Sequence, residues 1–533
     1  MREQSIGKKL YNASKKIHKV LGLALCVLLI WMSVSGILLN HPEAIHKASI
    51  GKSFFPEEYI PQNWNRSTIN DALFISDNNI FFAGKQGIWK SYNGGETFSP
   101  ATQEGFTSSP YFGKTNDLHY IPENDAILAS TYGGLWHYDL KQNIWSNISD
   151  KLIGKTHFIK CIRIENNIIA ISKNDFYKID ITNLNHIEKV TPKKQRSAMD
   201  LISFTFALHS GWLWGYGGRI AYDIISLFII FFSISGIYIF IINNKKKPKK
   251  ATALTKKTRK FMFQKHAKWG LWLFAFLLII GGTGLFMRPP LLVALADGKV
   301  PVKYLPKTMT YNPWYHTIRN ALYDQETDRI ILDTTEGLFA GPSDMTQEFK
   351  PIDWNTNIFV MGATVFEPIG NGKFNIGSFY GLYEFDENKN ISIDKITGKP
   401  APKFNGVQRP GRFMTTSYFS TPNGDEYICS FGQGLLPLTK PENNYRFKMP
   451  DEIVENANMP LWNYMFELHN GRLFTPLLGK WTILFIPLTA MAFILLTLAG
   501  AYEVAYRKFH QKSKRKKPSP VQKRRLSKVN SNL

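Results

Sequence analysis

Residues 18–42 read HKVLGLALCVLLIWMSVSGILLNHP, and residues 266–290 read HAKWGLWLFAFLLIIGGTGLFMRPP. Laid over one another without a gap, they agree at His18 and His266, Gly22 and Gly270, Gly36 and Gly284, and Pro42 and Pro290. Each contains an apolar run close to the ~20 residues a helix needs to cross hydrocarbon. A second pair of segments repeats in the same way. Leu208-His209-Ser210-Gly211-Trp212-Leu213 stands beside Leu468-His469-Asn470-Gly471-Arg472-Leu473. Downstream, Gly218-Arg219 matches Gly479-Lys480, and Ser235-Gly236-Ile237-Tyr238 matches Ala499-Gly500-Ala501-Tyr502. The chain therefore reads as span, polar segment, span, basic loop, and then the same again. Two halves of equal topology are expected to pack about a pseudo-two-fold axis along the membrane normal. The expected fold is a four-helix transmembrane bundle with an internal repeat, carrying two mainly-β, propeller-like extracytoplasmic domains.

The expected boundaries follow the apolar runs. A basic N-terminus, 1–18, precedes a first span at 19–40, a β domain at 41–216 and a second span at 217–242. A basic loop at 243–265 leads to a third span at 266–287, a second β domain at 288–476, a fourth span at 477–503 and a basic tail at 504–533. The first run could be a secretory signal, but it is long for one and continues into Asn40-His41-Pro42-Glu43 with no small-residue cleavage pattern, so it reads as an uncleaved anchor.

The net charge of +24 is not spread over the chain. Residues 1–19, 243–268 and 503–533 hold 28 basic and two acidic residues, leaving 37 basic against 39 acidic elsewhere. A nucleic-acid binder carries its charge on a folded face or stripe. Here the cations abut apolar runs, which excludes nucleic acid and favours a membrane. All three basic stretches fall on one side if every run spans, so the positive-inside rule places both termini in the cytoplasm. The tail, rich in Lys, Arg and Ser, is expected to lie on anionic lipid. Cys26, Cys161 and Cys429 are too few for a disulfide framework. A single Cys161–Cys429 bridge or isolated buried thiols remain the alternatives.

The repeat places four of the twelve histidines in related positions. His18 and His266 fall at the cytoplasmic ends of equivalent helices, and His209 and His469 at the outer ends of the other pair. Two imidazoles facing across a two-fold axis suit the two axial positions of a haem iron. A helix from His18 to His41 is roughly 35 Å long, so the two pairs would sit in opposite leaflets. Glycines in such helices are packing positions in the plainer reading, and a lone histidine at a helix end is an interfacial residue. Arg219, Lys480 and Arg288 are cations on the outer side, expected either to pair with haem propionates or to cap helix ends. His41 has no symmetric partner. Trp212, Trp214 and Arg472 are candidate contacts for an electron acceptor, by stacking and charge pairing; an interfacial aromatic belt is the plainer reading. No C-x-x-C-H occurs, which excludes covalent c-type haem, and no Ser-His-Asp, Walker, H-E-x-x-H or dinucleotide motif is present in a fitting context.

The pattern His18-x3-Gly22-Leu23…Gly36, with Leu-His-x-Gly-x-Leu leading to Gly-Arg and Ser-Gly-Ile-Tyr, resembles the PepSY-associated transmembrane helix family. The resemblance covers the four spans and their flanks. It implies a bacterial inner-membrane protein akin to iron-regulated proteins and siderophore-iron reductases, with haem b, two per chain, between the helices. It also implies haem-associated histidines at His18, His209, His266 and His469. The polypeptide has no flavin or nicotinamide site of its own, so electrons would come from a quinol or a separate cytoplasmic donor and pass to a ferric siderophore. The alternative function is a non-redox sensor or accessory protein whose β domains bind a ligand or partner.

The polar segments depart from that family's usual pattern. They carry Gly87-Ile88-Trp89, Gly134-Leu135-Trp136, Gly337-Leu338-Phe339 and Gly381-Leu382-Tyr383, with a weaker Gly434-Leu435-Leu436, at intervals of 47, 44 and 53 residues within each segment. Those intervals approach the ~40–50 residues of a propeller blade. Ser91-Tyr92-Asn93-Gly94-Gly95-Glu96-Thr97-Phe98 resembles the Asp-box hairpin of sialidase-type propellers, with Asn at the Asp position, and is expected to stabilise a turn. Each segment has room for about three blades, so one propeller split between the segments and two separate β-sandwiches are both open.

Overall fold

The computed structural model describes residues 6–150, 154–244, 253–404, 406, 408–439 and 446–516. The start of the basic N-terminus, most of the lysine run at 245–252 and the tail from 517 onward lie outside the described residues. The chain divides into a helical unit, 1–40, 205–292 and 469–533, and a β unit, 41–204 and 293–468.

The first helix of the helical unit, Ile6–Asn40, is unbroken over 35 residues. It stops where Pro42 disfavours helical geometry at the residue before it, and His41 leaves the helix at φ −128°, ψ 63°. Gly215–Asn244 and Thr482–Lys516 are the other long helices, the latter with Pro487 inside it. The sequence implies a single straight third span at 266–287. Instead, two helices, Ala253–Trp272 and Phe274–Leu285, meet at Leu273 with a bend of 66°. Among the described residues three helices are thus long and apolar enough to cross a membrane, and the bent pair qualifies as a fourth only if it is one broken span. Gly270 just before the bend weakens the helix there. One apolar core joins Leu25 of the first helix, Tyr222, Ile225 and Ile229 of the second, Leu277 of the bent pair, and Phe493 and Leu496 of the last. Val27, Leu227, Trp272, Leu488 and Leu495 are exposed. That much apolar surface on helices of this length suits lipid rather than water. The helical unit begins again at Thr205 and at His469, so the stretches carrying His209 and His469 belong to it and not to the segments 41–216 and 288–476 in which the sequence boundaries place them.

The β unit joins both polar segments in one body. Among the described residues, six antiparallel sheets of three or four strands follow one another along the chain, with two further two-stranded pairings, Ser49–Gly51 with Asn458–Pro460 and Ala198–Asp200 with Lys299–Pro301. The first holds Asp71–Phe74, Ile80–Gly84, Gly87–Ser91 and Ser99–Pro100, and the second Thr115–Ile121, Ala126–Thr131, Gly134–Asp139 and Ile144–Asn147. The third runs Phe158–Ile164, Asn167–Ser172, Phe176–Asp180 and Asn183–Val190; the fourth starts at Ile318–Asp324, the fifth at Val365–Gly370 and the sixth, with three strands, at Thr415–Ser420. The second strand of each is almost wholly buried, as in Ile80–Gly84 and Ala126–Thr131. Separate apolar clusters join sheets one and two (Phe81 with Ile127), two and three (Leu128 with Ile168), three and four (Phe176 with Leu332), four and five (Leu322 with Phe374), and five and six (Leu382 with Ile428). A further cluster joins the sixth sheet to the first, through Phe82, Trp64, Tyr427 and Phe447.

Gly87, Gly134, Gly337, Gly381 and Gly434 each open the third strand of their sheet, at φ between +82° and +141°. This turn requires a backbone that side chains other than glycine's rarely adopt. The motif Ser91–Phe98 forms the turn between the third and fourth strands of the first sheet. Ser91 Oγ accepts from the Gly95 N–H at 3.0 Å, while Asn93 Oδ1 accepts from the Thr97 N–H at 3.1 Å. Cys161 and Cys429 are free, buried thiols in different clusters, as Cys26 is in the helical unit.

Candidate functional site

The helical unit brings the four repeat-related histidines together in two pairs. The His18 and His266 ring centres are 6.0 Å apart, and those of His209 and His469 are 6.3 Å apart. His18 lies within the first helix and His266 within Ala253–Trp272; His209 and His469 end the short helices Leu201–Ser210 and Leu461–His469. Both short helices are followed by a left-handed glycine, Gly211 at φ +83° and Gly471 at φ +72°, which turns the chain into the next helix.

Each ring is held at Nδ1. His469 Nδ1 is 2.8 Å from Ser35 Oγ, His266 Nδ1 is 2.7 Å from Ser235 Oγ, and His209 Nδ1 is 3.0 Å from Thr283 Oγ1. Those hydroxyls already spend their own protons on helix carbonyls: Ser35 on Trp31, Ser235 on Phe232 and Thr283 on Ile279. With its proton on that carbonyl, the hydroxyl accepts and the imidazole donates from Nδ1. His18 Nδ1 lies 3.1 Å from the Leu496 carbonyl, which also can only accept. In that arrangement the four histidines carry their proton on Nδ1 and leave Nε2 with a lone pair, the form in which imidazole ligates a metal.

The spacing suits one metal ion between each pair of rings. Two metal–nitrogen bonds of ~2.0 Å, with about 1.1 Å from each nitrogen to its ring centre, give a separation of roughly 6.2 Å. Each ring also lies against a glycine of the helix that anchors it: His469 on Gly36, His209 on Gly284, His266 on Gly236 and His18 on Gly500. A cavity of about 450 Å³ surrounds the first pair, lined by both imidazoles with Gly22, Gly236, Gly270 and Gly500. Small residues on several walls leave room for a flat macrocycle. Along the first helix, the seventeen residues from His18 to Ser35 separate the two pairs by about 25 Å.

The remaining candidates are placed as follows. The buried Arg219 guanidinium donates to the Asn40 carbonyl at the end of the first helix and stacks 4.4 Å over Trp212. Arg288 donates to the Asn470 carbonyl at 2.7 Å, so both described contacts cap helix ends. Lys480 is exposed, with its ammonium 5.9 Å from the Trp481 ring. Trp214 is exposed beside Tyr222, and Arg472 opens the short turn Arg472–Phe474 that follows Gly471. His41 precedes the four-residue helix Pro42–Ile45 and belongs to the β unit. Among the described residues no cluster of three or more His, Cys, Asp or Glu is arranged to hold a metal ion; a pair of axial imidazoles needs only two. The anchors Ser35, Ser235, Thr283 and Leu496 were not evident as such in the sequence. Their signal is the recurrence of Ser-Gly or Thr-Gly at related positions, which reads first as small-residue packing.

Fold and site together define a membrane protein whose apolar helices hold paired histidines, each with Nδ1 against a hydroxyl or carbonyl oxygen, in a chain that also carries a β unit. The chain belongs to the PepSY-associated TM region family, whose model matches residues 182–502. No curated protein matches the chain. Among solved structures, the extracellular domain of a hybrid two-component system from B. thetaiotaomicron aligns at 10% identity and TM-score 0.34, over 74% of this chain and 34% of that one. A second such domain from the same organism is 11% identical at TM-score 0.33, over 70% and 40% respectively. Sqt1 of Saccharomyces cerevisiae is 7% identical at TM-score 0.28, over 68% and 70%. The chain thus spans well under half of the first two, and the likenesses are too weak to assign a role.

Proposed function

We propose that this protein is a di-haem b electron-transfer protein of the bacterial inner membrane that reduces a ferric chelate on the outer face. The observation that carries this reading is the matched seating of the four histidines, each with Nδ1 against a hydroxyl or carbonyl oxygen and with ring centres 6.0 and 6.3 Å apart in pairs. His18 with His266, and His209 with His469, would each supply both axial ligands of one haem. Haem bound there would supply a one-electron carrier toward each side of the bilayer. The hydroxyls of Ser35, Ser235 and Thr283 fix ring orientation and raise ligand basicity, as partners of metal-bound histidines do. The first pair lies near the cations Lys15, Lys19 and Arg507, which border its cavity and suit carboxylate side groups.

In this reading the four apolar segments are a bundle with a pseudo-two-fold axis, both termini cytoplasmic and the basic segments against anionic lipid. The shared core of the helices and the matched glycine turns after the two short helices support it. The six sheets form one six-bladed propeller split between the two polar segments, supported by the cluster that joins the sixth sheet to the first. Electrons enter from a quinol or a separate cytoplasmic donor. One electron converts an Fe(III) chelate to Fe(II), whose weaker binding releases the metal. Trp212, Trp214 and Arg472 are candidate contacts for that substrate.

The test is reoxidation. Dithionite-reduced protein mixed anaerobically with a ferric siderophore should lose its reduced α-band while a ferrous chelator traps Fe(II). Arg472→Ala should slow that step and leave haem content unchanged. A reduced band that persists with a range of ferric chelates would leave a membrane cytochrome with another acceptor.

A further inference from the structure

Within the helical unit, the first helix and the bent pair lead into repeat-related donors. Asn40 stands 22 residues after His18, and Arg288 stands 22 residues after His266. The buried Asn40 amide donates from Nδ2 to the Ser210 carbonyl at 3.1 Å, and the Arg288 guanidinium donates to the Asn470 carbonyl at 2.7 Å. Ser210 directly follows His209, Asn470 directly follows His469, and the left-handed glycine of each turn comes next. Carbonyls at a helix end have no partner within the helix, so a donor from another element fixes where that end sits. The same two side chains also reach the long helix beyond each turn. Asn40 Nδ2 lies 3.4 Å from Asp223 Oδ1 in Gly215–Asn244, and Arg288 lies 3.4 Å from the carbonyl of Thr482, which opens Thr482–Lys516.

The connections cross. Ser35 of the first helix carries the His469 ring, while Asn40 of the same helix holds the turn behind His209. Thr283 of the bent pair carries the His209 ring, while Arg288, just past that pair, holds the turn behind His469. Each histidine is therefore gripped at its ring by one repeat and at its backbone by the other. Asn40 is itself fixed, because Arg219 donates to its carbonyl. An amide and a guanidinium differ in shape and charge. Even so, the same position in both repeats supplies N–H donors to the carbonyl that follows the histidine.

We propose that Asn40 and Arg288 are positioning residues: each ties the turn behind one histidine to the helix that anchors the ring of the other, so both repeats together set the separation and mutual angle of the His209 and His469 rings. That these rings are haem ligands rests on the function proposed above; the crossed ties do not.

The experiment is hydrogen–deuterium exchange of the full-length protein in detergent, read peptide by peptide by mass spectrometry. Asn40→Ala should speed exchange of the 208–214 turn about fivefold, as expected for one lost hydrogen bond, and leave 468–474 unchanged. Arg288→Ala should do the reverse. Where an alanine variant does not purify, Asn40→Gln and Arg288→Lys, which keep a donor on a different stem, should give a smaller change at the same turn. This readout needs no haem, so a protein without haem would sink the proposed function and leave the crossed ties to be decided here. In haem-loaded protein carrying His266→Ala, which leaves the His209–His469 site, either variant should shift the low-spin electron paramagnetic resonance signal, which follows the angle between the imidazole planes. Faster exchange confined to 34–40 or 281–287 would make the two side chains caps of their own helices and overturn the proposal. Unchanged exchange at both turns, or loosened turns beside an unshifted signal, would overturn it as well.

Discussion

The two histidine pairs are built from the same repeat but seated differently. In the His209–His469 pair both rings hang from hydroxyls, Thr283 and Ser35; a Cβ on Gly36 would meet the ring at an ordinary 3.7 Å and one on Gly284 at a tight 3.2 Å. In the His18–His266 pair only His266 has a hydroxyl, that of Ser235, with a Cβ on Gly236 at 3.8 Å. The position related to Ser235 is Ala499. His18 therefore reaches the Leu496 carbonyl directly, and a Cβ on Gly500 would lie 2.7 Å from its ring. A hydroxyl acts as a spacer between imidazole and helix. Where it is missing, the ring moves in against the backbone and only glycine leaves room. The two pairs thus seat each imidazole through Nδ1 while exchanging one anchor for another.

The largest test of this comparison removes a ligand. His266→Ala and His469→Ala should each cut bound haem by about half, measured as pyridine haemochrome per chain, and the double variant should bind none. A single variant that loses all the haem would mean one shared site. Next comes the contrast between glycines. Gly500→Ala should displace His18 and empty that site, although alanine favours the helix by roughly 1 kcal/mol over glycine. Gly36→Ala and Gly236→Ala should retain full haem. Equal losses at all three would show that the glycines serve helix packing and not the rings.

A smaller effect is expected at the hydroxyls. Ser235→Ala and Thr283→Val each remove one anchor of about 1 kcal/mol, and partners of metal-bound histidines typically govern about 10–100-fold in affinity. Haem retention on dilution should fall accordingly, while melting temperature moves little. The smallest change is Ala499→Ser, which restores the hydroxyl missing beside His18. It should leave haem content unaltered and shift the spectrum of that site toward the other. A large loss of haem would mean that the ring cannot retreat from Gly500, so that the exchange of anchors is not reversible.

The paired histidines were legible because two repeats, one gap-free and one with insertions downstream, align them in twos with matched flanks. Their anchors were not, since serine and threonine within apolar helices commonly bond back to their own carbonyls whether or not anything rests on them. The strand-opening glycines were legible for five of the six sheets. The third escaped because Asp175 stands before its third strand where the others have glycine. Whether the polar segments made one body or two was beyond local pattern. The deciding contacts link the two polar segments: the buried Trp64 indole donates to the Phe447 carbonyl at 2.6 Å, and Trp314 donates to the Pro192 carbonyl at 2.7 Å. Periodicity sees strands, not partners hundreds of residues away. The bend at Leu273 was equally hidden, because Gly22 sits at the same offset as Gly270 in a helix that runs straight.

The most direct test of the central claim is the haem content and ligation state of the purified full-length protein, by pyridine haemochrome and low-temperature electron paramagnetic resonance. The paired-imidazole account predicts two haems b per chain, both low-spin with two nitrogen axial ligands, and one remaining in His18→Ala or His209→Ala. Protein purified from haem-replete cells with no Soret absorbance, or with a single haem indifferent to all four histidines, would contradict it.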